Sequence, residues 1–280
     1  MVVRLFRFIK AMYCRLLDDD ILALGAQMAY YLILSFFPFL IFLMALIGNS
    51  PISSQQVLMG LLGILPEEAY ILVRNTVVEI VDTKAGGLAP VSGILALWFA
   101  SNGIGSIITG LNKAYDEKER RPFWLVKLIS IIFTLLLSTV IIFSFILLVF
   151  SGVIKKQILD GMELEPSYQN LWNTGRYIFI SSVIFLVFLI LYRFTPSRRM
   201  RWKEVIPGAI LATIGWLGTS LGFAYYVDNF SNYSRFYGSI GGVVVLLIWL
   251  YYSAVIVLLG GELNAALAYE KKAKDRDKTR

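Results

Sequence analysis

Polar side chains within long apolar stretches are the first candidates for chemistry in this sequence. Burying such groups in hydrocarbon costs free energy unless they face protein or water. Gln27, Tyr31 and Pro38 recur at helical spacing, so two polar side chains and a proline-induced break can lie on one interior surface. A second apolar stretch adds three polar groups, Ser101, Asn102 and Asn112. These residues predict either a path for a polar solute or hydrogen bonds that lock helices together, and the sequence leaves both interpretations open.

A third candidate is the connection between the last two apolar stretches, which is rich in Tyr, Asn and Ser. Its candidate side chains are Asp228, Asn229, Asn232, Tyr233 and Arg235. Aromatic residues at a membrane interface often serve only as an anchoring belt. The acid, amide and guanidinium groups exceed what an anchor needs, so the segment predicts a hydrogen-bonding mouth on the outer side of a membrane.

Glu262 is a candidate of another kind, because it is an acid near the inner end of the last apolar stretch. One interpretation is an interfacial acid paired with a cation such as Arg193 or Arg198. The other is a proton-linked or cation-linked site. Both remain open from the sequence.

Catalytic chemistry finds little support in the composition. The 280 residues contain no histidine and one cysteine, Cys14, so the commonest metal ligand and the usual general base near neutral pH are absent. Histidine- or zinc-dependent ribonuclease chemistry is thereby excluded for this chain. The acidic clusters at 18–20, 67–68 and 116–119 lie at predicted helix ends or in loops, which is typical of solvated charge. We predict no enzyme activity, no catalytic residue, no cofactor and no metal site.

The elements that must position the polar groups are membrane-spanning helices. Hydrophobic residues make up 58% of the chain and charged residues 16%, whereas soluble domains are about a quarter charged. The apolar residues form blocks of about 20 residues, the length that a helix needs to cross the hydrocarbon core. We predict an all-α polytopic membrane protein, a bundle of six transmembrane helices plus short interfacial helices. The predicted spans are 29–47, 88–108, 128–154, 177–192, 205–227 and 240–260, with an outer helical hairpin at 51–83.

The terminal segments and the charge distribution complete the predicted topology. Residues 1–28 predict a cytoplasmic amphipathic helix suited to an anionic membrane surface, residues 29–264 the transmembrane domain, and residues 265–280 a basic cytoplasmic tail. The net charge is +7, and most of the 26 Lys and Arg residues fall in alternate connections. The positive-inside rule predicts this alternation for an even number of spans with both termini in the cytoplasm. The charge therefore indicates multi-pass insertion in the cell (inner or plasma) membrane, with membrane lipids and not nucleic acid as partners.

Two pairs of glycines have the spacing of close helix contacts. Gly218 with Gly222, and Gly238 with Gly242, are interpreted as packing devices between helices. The sequence leaves the oligomeric state open.

Several short blocks, taken in chain order, carry a family resemblance. They are Ala29–Tyr31 with Ser35 and Pro38, Leu97–Ile104, Leu111–Tyr115, Arg121–Phe123, Pro207–Ala209, Asn229–Tyr233, Tyr237–Ser239 and Gly261–Asn264. Together they resemble the YihY/virulence factor BrkB family of bacterial membrane proteins. The family pattern has an arginine after the serine of the second block, where this chain has Asn102.

The resemblance implies a six-span inner-membrane protein whose family has been linked to export or lipid-linked transport. Members were formerly labelled ribonuclease BN, but the enzyme now bearing that name is a histidine-rich metal hydrolase of another fold. The leading hypothesis is a transporter or exporter of a lipid-like or small amphipathic solute, because no span carries the buried charge pairs of a proton relay. The alternatives are a non-transporting membrane scaffold or envelope-maintenance factor and, less favoured, a membrane enzyme.

Overall fold

The structure is a computed structural model that describes most of the apolar chain. The described residues are 18–47, 89–158, 166–230 and 241–278, with single positions at 55, 58, 70, 74 and 78. The described residues form helices and turns without a strand. The helices are α1 (Ile21–Ile47), α2 (Ala89–Ala114), α3 (Phe123–Ile158), α4 (Pro166–Phe194), α5 (Trp202–Phe230) and α6 (Gly241–Lys278). The predicted amphipathic helix before residue 18, and nearly all of the predicted hairpin at 51–83, lie outside the described residues.

Length and composition identify most of these helices as membrane spans. In the described part of the chain, five helices are long and apolar enough to cross a membrane, and they contain the segments Ile21–Leu43, Gly93–Ala114, Phe123–Ser144, Trp202–Tyr226 and Gly241–Glu270. The apolar part of α4, Ile178–Phe194, is shorter. The prediction of an all-α, polytopic membrane protein is confirmed.

The helices are longer than the spans predicted from hydropathy. A turn precedes α1, where Asp20 has a left-handed φ of 50° and its carbonyl accepts a hydrogen bond from the Leu24 amide. The first helix therefore begins inside the segment assigned to the N-terminal unit. At the other end of the chain, α6 continues to Lys278 because the tail is rich in Ala, Glu and Lys, which favour helix.

The start of α5 changes the interpretation of Pro207. The Glu204 carboxylate accepts a hydrogen bond from the Arg201 amide at 2.9 Å, an arrangement that caps a helix beginning at Trp202. The span predicted from residue 205 would put Pro207 in the first turn, but with the helix starting at Trp202 the proline lies inside it. A proline there removes one helical hydrogen bond and crowds the preceding turn.

Helix α6 makes its closest contact with α5 at this proline. The Gly208 amide donates a 2.7 Å hydrogen bond to the Asn264 side-chain oxygen, and both residues are buried. A Cβ added at Gly208 would collide with the Gly260 carbonyl and the Asn264 side chain. Behind Gly260, the Tyr192 hydroxyl of α4 donates to the Val257 carbonyl at 2.8 Å. Glycine is required at this crossing because two backbones share one space.

The predicted glycine contacts on α5 are not found among the described residues. No described atom lies within 4 Å of a Cβ built on Gly218 or Gly222, and both glycines are exposed. Gly242 is buried at the start of α6, and Gly238 lies outside the described residues. Spacing alone could not distinguish a glycine that faces a helix from one that faces lipid, since that depends on how the helices are rotated.

This difference predicts opposite outcomes for two glycine substitutions on α5. Gly208→Ala should lower stability by about 1–3 kcal/mol, because the added methyl group meets a neighbouring backbone. Gly218→Ala should leave stability unchanged or slightly raised, since alanine favours helix and the space is open. Thermal unfolding of detergent-solubilised protein measures both. An equal loss in the two variants would contradict the assigned crossing.

Candidate functional site

A cavity of about 540 Å³ lies between α1, α2 and α3. Helix α1 lines it with Leu24, Gln27, Met28, Tyr31, Leu34, Ser35 and Pro38, α2 with Phe99, Ser101, Asn102, Gly105, Ser106, Thr109 and Gly110, and α3 with Phe123, Val126, Lys127 and Ser130. Polar and apolar side chains therefore line the same cavity. Five of the residues singled out by sequence, from two separate helices, meet in it: Gln27, Tyr31, Pro38, Ser101 and Asn102.

The cavity extends past the middle of the apolar segment of α1. On α1 its lining runs from Leu24 to Pro38, a length of about 21 Å at 1.5 Å per residue. The apolar segment of that helix is Ile21–Leu43, so the lining passes its midpoint. Pro38 interrupts the backbone ladder at the far end, where it cannot donate to the carbonyl of Leu34, another lining residue.

The hydroxyl groups of the lining are bonded within their own helices. Ser35 donates to the Tyr31 carbonyl at 2.7 Å, and Ser101 to the Trp98 carbonyl at 2.7 Å. The hydroxyls of Ser106, Thr109 and Ser130 donate in the same way to carbonyls three or four residues earlier. Because the protons are used locally, the hydroxyl oxygens remain available as acceptors. These hydroxyl groups can accept hydrogen bonds from a polar solute, and their own donors are satisfied when the solute is absent.

Lys127 is the functional candidate that sequence reasoning missed. The predicted span 128–154 leaves Lys127 in a basic connection, but its side chain is buried, with 8% exposure, and it lines the cavity. Its ammonium donates to the Trp98 carbonyl at 2.7 Å and to Asn102 Oδ1 at 2.8 Å. The same nitrogen lies 4.3 Å from the centre of the Trp98 ring. A signal was present, since Lys127 stands between apolar residues on both sides.

Asn102 stands where the family pattern has an arginine, and its surroundings show how a positive charge is still present there. The sequence lacks the arginine expected there, yet the Lys127 ammonium occupies the adjacent space from α3. Asn102 lies near the middle of the apolar segment Gly93–Ala114. A positive charge is thus present at the middle of α2, carried by another helix.

Asn112 lies outside the cavity lining and belongs to a polar clamp between two connections. Its amide donates to Glu119 at 2.8 Å, and its carbonyl oxygen accepts from the Ser197 backbone at 2.7 Å. Arg121 donates to both Glu119 oxygens, at 2.8 and 2.7 Å, and to the Thr195 carbonyl at 2.8 Å. This clamp, formed by Asn112, Glu119, Arg121, Thr195 and Ser197, joins the α2–α3 connection to the end of α4.

The clamp shifts the ionisation of its central acid. Hydrogen bonds from the Arg121 side chain are the largest cause that lowers the pKa of Glu119, from 4.5 to about 2. The Asn112 amide acts in the same direction. The carboxylate is therefore charged across the physiological pH range and suited to structural support.

Glu262 is fully buried, at 0% exposure, and its pairing with Arg193 or Arg198 stays a prediction. It is near Tyr115, whose pKa is raised mainly by burial and further by the Glu262 charge. The two suggested partner cations lie against aromatic rings, Arg193 at 5.4 Å from Phe194 and Arg198 at 5.7 Å from Tyr269. Glu262 belongs to the closely packed α2–α6 contact and not to the cavity lining.

The predicted outer mouth is largely beyond what the structure describes. Asp228 and Asn229 lie in the last turn of α5, and their side chains are not described. Asn232, Tyr233 and Arg235 lie outside the described residues. Whether this segment forms a mouth stays a prediction.

Metal-binding chemistry has no candidate cluster in the described part of the chain. No group of three or more His, Cys, Asp or Glu side chains there could hold a metal ion. The acids of the α2–α3 connection are used differently, as Glu119 shows by its contacts with Arg121 and Asn112.

Comparison with protein families gives one matching family model, described as Virulence factor BrkB, over residues 12–280. A ribonuclease-like protein of Bacillus subtilis, named YfkH, is 37% identical over 96% of this chain and 98% of its own length. UPF0761 membrane proteins of Alteromonas mediterranea and Vibrio parahaemolyticus are each 28% identical, over 91% and 94% of this chain and 86% and 83% of their own lengths. No solved structure matches the chain. The resemblance proposed from the sequence blocks is confirmed.

The clamp predicts an acid-sensitive contribution to stability. A carboxylate with a lowered pKa stabilises the fold above its unfolded value, near 4.5, and loses that contribution as the pH falls towards about 2. Glu119→Gln should therefore lower the apparent Tm at pH 7, and the gap from the parent should close between pH 4.5 and 2. Thermal scans in detergent across this range measure the gap.

The neighbouring Glu117→Gln is the matched control, because Glu117 lies two residues earlier in the same connection. It should show a smaller gap at pH 7. If the Glu119→Gln gap stayed constant down to pH 2, the ionised clamp would not be the source of the stability.

Proposed function

The chain belongs to the Virulence factor BrkB family, and from that premise we propose that this multi-pass membrane protein transports a lipid-like or small amphipathic solute through the α1–α3 cavity. The observation that carries the proposal is the depth of the cavity, whose lining passes the midpoint of the apolar segment of α1. Part of this lining is polar. A membrane scaffold would need only packed helices there.

The size and lining of the cavity support an amphipathic occupant. Its volume of about 540 Å³ falls in the range of small-molecule sites, about 300–1,000 Å³. Leu34 and Phe123 line it and are 56% and 76% exposed at the outer surface of the bundle. The cavity edge therefore reaches the surface that lipid tails would cover. An occupant could keep an apolar tail in the bilayer while its polar part contacts Asn102, Ser106 and Lys127.

A non-enzymatic role is part of the proposal. The absence of histidine from the sequence removes the usual ligands and bases of a metal hydrolase. The ribonuclease-like name belongs to the Bacillus subtilis relative and assigns no activity to this chain. The names of the Alteromonas mediterranea and Vibrio parahaemolyticus relatives describe membrane proteins and state no activity.

Filling the cavity provides the direct test of transport. Purified protein in liposomes should accelerate the movement of fluorescent lipids between leaflets, detected by a quencher that cannot cross the bilayer. Gly105→Leu should reduce this rate to that of protein-free vesicles, because Gly105 lines the cavity and a leucine side chain would occupy it.

The matched control is Gly218→Leu, which places the same side chain on the exposed surface of α5. It should transport at the parental rate. If the parent moved no lipid or amphipathic solute in a broad panel, or if both variants moved them equally well, transport through this cavity would be rejected.

We also propose that both termini are cytoplasmic, on the basis of the charge alternation. The described connections at 115–122 and 195–201 carry many of the basic residues and are joined to each other by the clamp, so they lie on one side of the membrane. The positive-inside rule places that side in the cytoplasm.

Cysteine labelling tests this orientation. In a Cys14→Ser background, which has no other cysteine, single cysteines at the exposed positions Lys118, Arg199 and Thr174 give three reporters. A membrane-impermeant maleimide added to intact cells should label only Thr174→Cys, and permeabilised cells should show all three. Labelling of Arg199→Cys in intact cells would reverse the topology.

A further inference from the structure

Within the described part of the chain, the polar lining of the cavity has one cation and no acid. Among its 18 lining residues, Lys127 is the charged side chain, and no Asp or Glu is present. Its two acceptors, the Trp98 carbonyl and Asn102 Oδ1, are neutral. A buried ion costs free energy unless an opposite charge or several hydrogen bonds compensate for it. The lining of the cavity therefore has an unbalanced positive charge that an anion would compensate.

The hydrogen-bonding capacity of Lys127 is also incomplete. An ammonium group has three donors, and within the described part of the chain Lys127 uses two. Around it, the Ser101 and Ser130 hydroxyls donate to carbonyls of their own helices. Lys127 can consequently offer a charged donor to an occupant while Asn102 and Trp98 hold its side chain in place.

The position of the charge favours a headgroup over a surface ion. Asn102 lies near the middle of the apolar segment Gly93–Ala114, and the lining around Lys127 includes Phe99, Phe123 and Val126. An anion with no apolar part would gain nothing from these walls. A lipid with an anionic headgroup would bury its charge beside Lys127 and its glycerol and first methylene groups beside the aromatic rings.

From this geometry we infer that Lys127 is an anion-binding residue that receives the phosphate of an anionic lipid headgroup in the α1–α3 cavity. The inference rests on the proposed function for the identity of the occupant as a lipid. Lysine binds phosphate as a point charge, and the charge-assisted contact would strengthen in the low dielectric of the site. The headgroup charge, and not tail length, would then decide which amphipathic molecules enter.

Binding measurements on the full chain in a neutral detergent test the charge preference. Fluorescent phosphatidylglycerol and phosphatidylcholine with identical chains are the anionic and zwitterionic probes. The parent should bind the anionic probe about tenfold more tightly, as expected from one hydrogen-bonded charge contact. Lys127→Met and Lys127→Gln should bring the two affinities within about twofold, while Lys127→Arg should retain most of the preference.

Lys113→Met controls for general surface charge, because Lys113 is an exposed cation at the end of α2 and outside the cavity. Its preference for the anionic probe should match the parent. Thermal unfolding verifies that each variant is folded, and Lys127→Gln preserves donors if the methionine variant fails to fold. An unchanged preference in Lys127→Gln, or an equal loss in Lys113→Met, would overturn the inference.

Competition separates a lipid headgroup from free phosphate. Glycerol phosphate and inorganic phosphate should not displace the anionic probe at concentrations where unlabelled phosphatidylglycerol does. Full displacement by either free anion would overturn the lipid assignment. In the liposome assay, a Lys127→Gln protein that moves both lipids like the parent would reject the headgroup site but not transport. Charge-selective binding without lipid movement would reject transport but not the site.

Discussion

A polar group inside a bilayer must find its partner within the protein, and the packing of this bundle follows from that constraint. Pro207 disturbs the hydrogen-bond ladder of α5, and the amide beside it, on Gly208, donates to Asn264 of α6. That bond brings two backbones together, which is possible because Gly208 faces Gly260. This close crossing therefore lies where a backbone amide of α5 donates its hydrogen bond to α6. Glycine spacing alone is a weak guide to such crossings.

The cavity satisfies the same constraint in a different manner. Its serine and threonine hydroxyls donate hydrogen bonds to backbone carbonyls of their own helices, so these donors need no partner from another helix. Lys127 has neutral acceptors and no acid in the lining. The hydroxyl groups can be explained by local helix geometry, whereas the ammonium retains charge and donor capacity. This contrast separates the residue that can recognise an occupant from those that merely tolerate one.

The sequence predicted the contents of single helices better than the relations between them. Gln27, Tyr31 and Pro38 share a surface because helical spacing is local, and they do line the cavity. The start of α5 was missed because hydropathy measures the hydrocarbon-crossing part, while the Arg201–Glu204 contact determines where the helix begins. The contacts of Asn112 and Lys127 depend on the register between helices, which cannot be read from any single stretch of sequence. The family resemblance gave the membrane class but could not show that a cation from α3 would lie beside Asn102.

The position of Lys127 follows from the way that α3 is anchored. Arg121 and Glu119 tie the α2–α3 connection to the carbonyl of Thr195, and the Pro122 carbonyl then accepts the amides of Leu125 and Val126 as α3 begins. Lys127 is the next residue, so its backbone is fixed within two turns of the clamp. A long, flexible side chain would otherwise move its charge towards water. Anchoring the helix start and binding the ammonium to the Trp98 carbonyl hold that charge against the middle of α2. The clamp lies outside the cavity lining and anchors the start of the helix that carries Lys127.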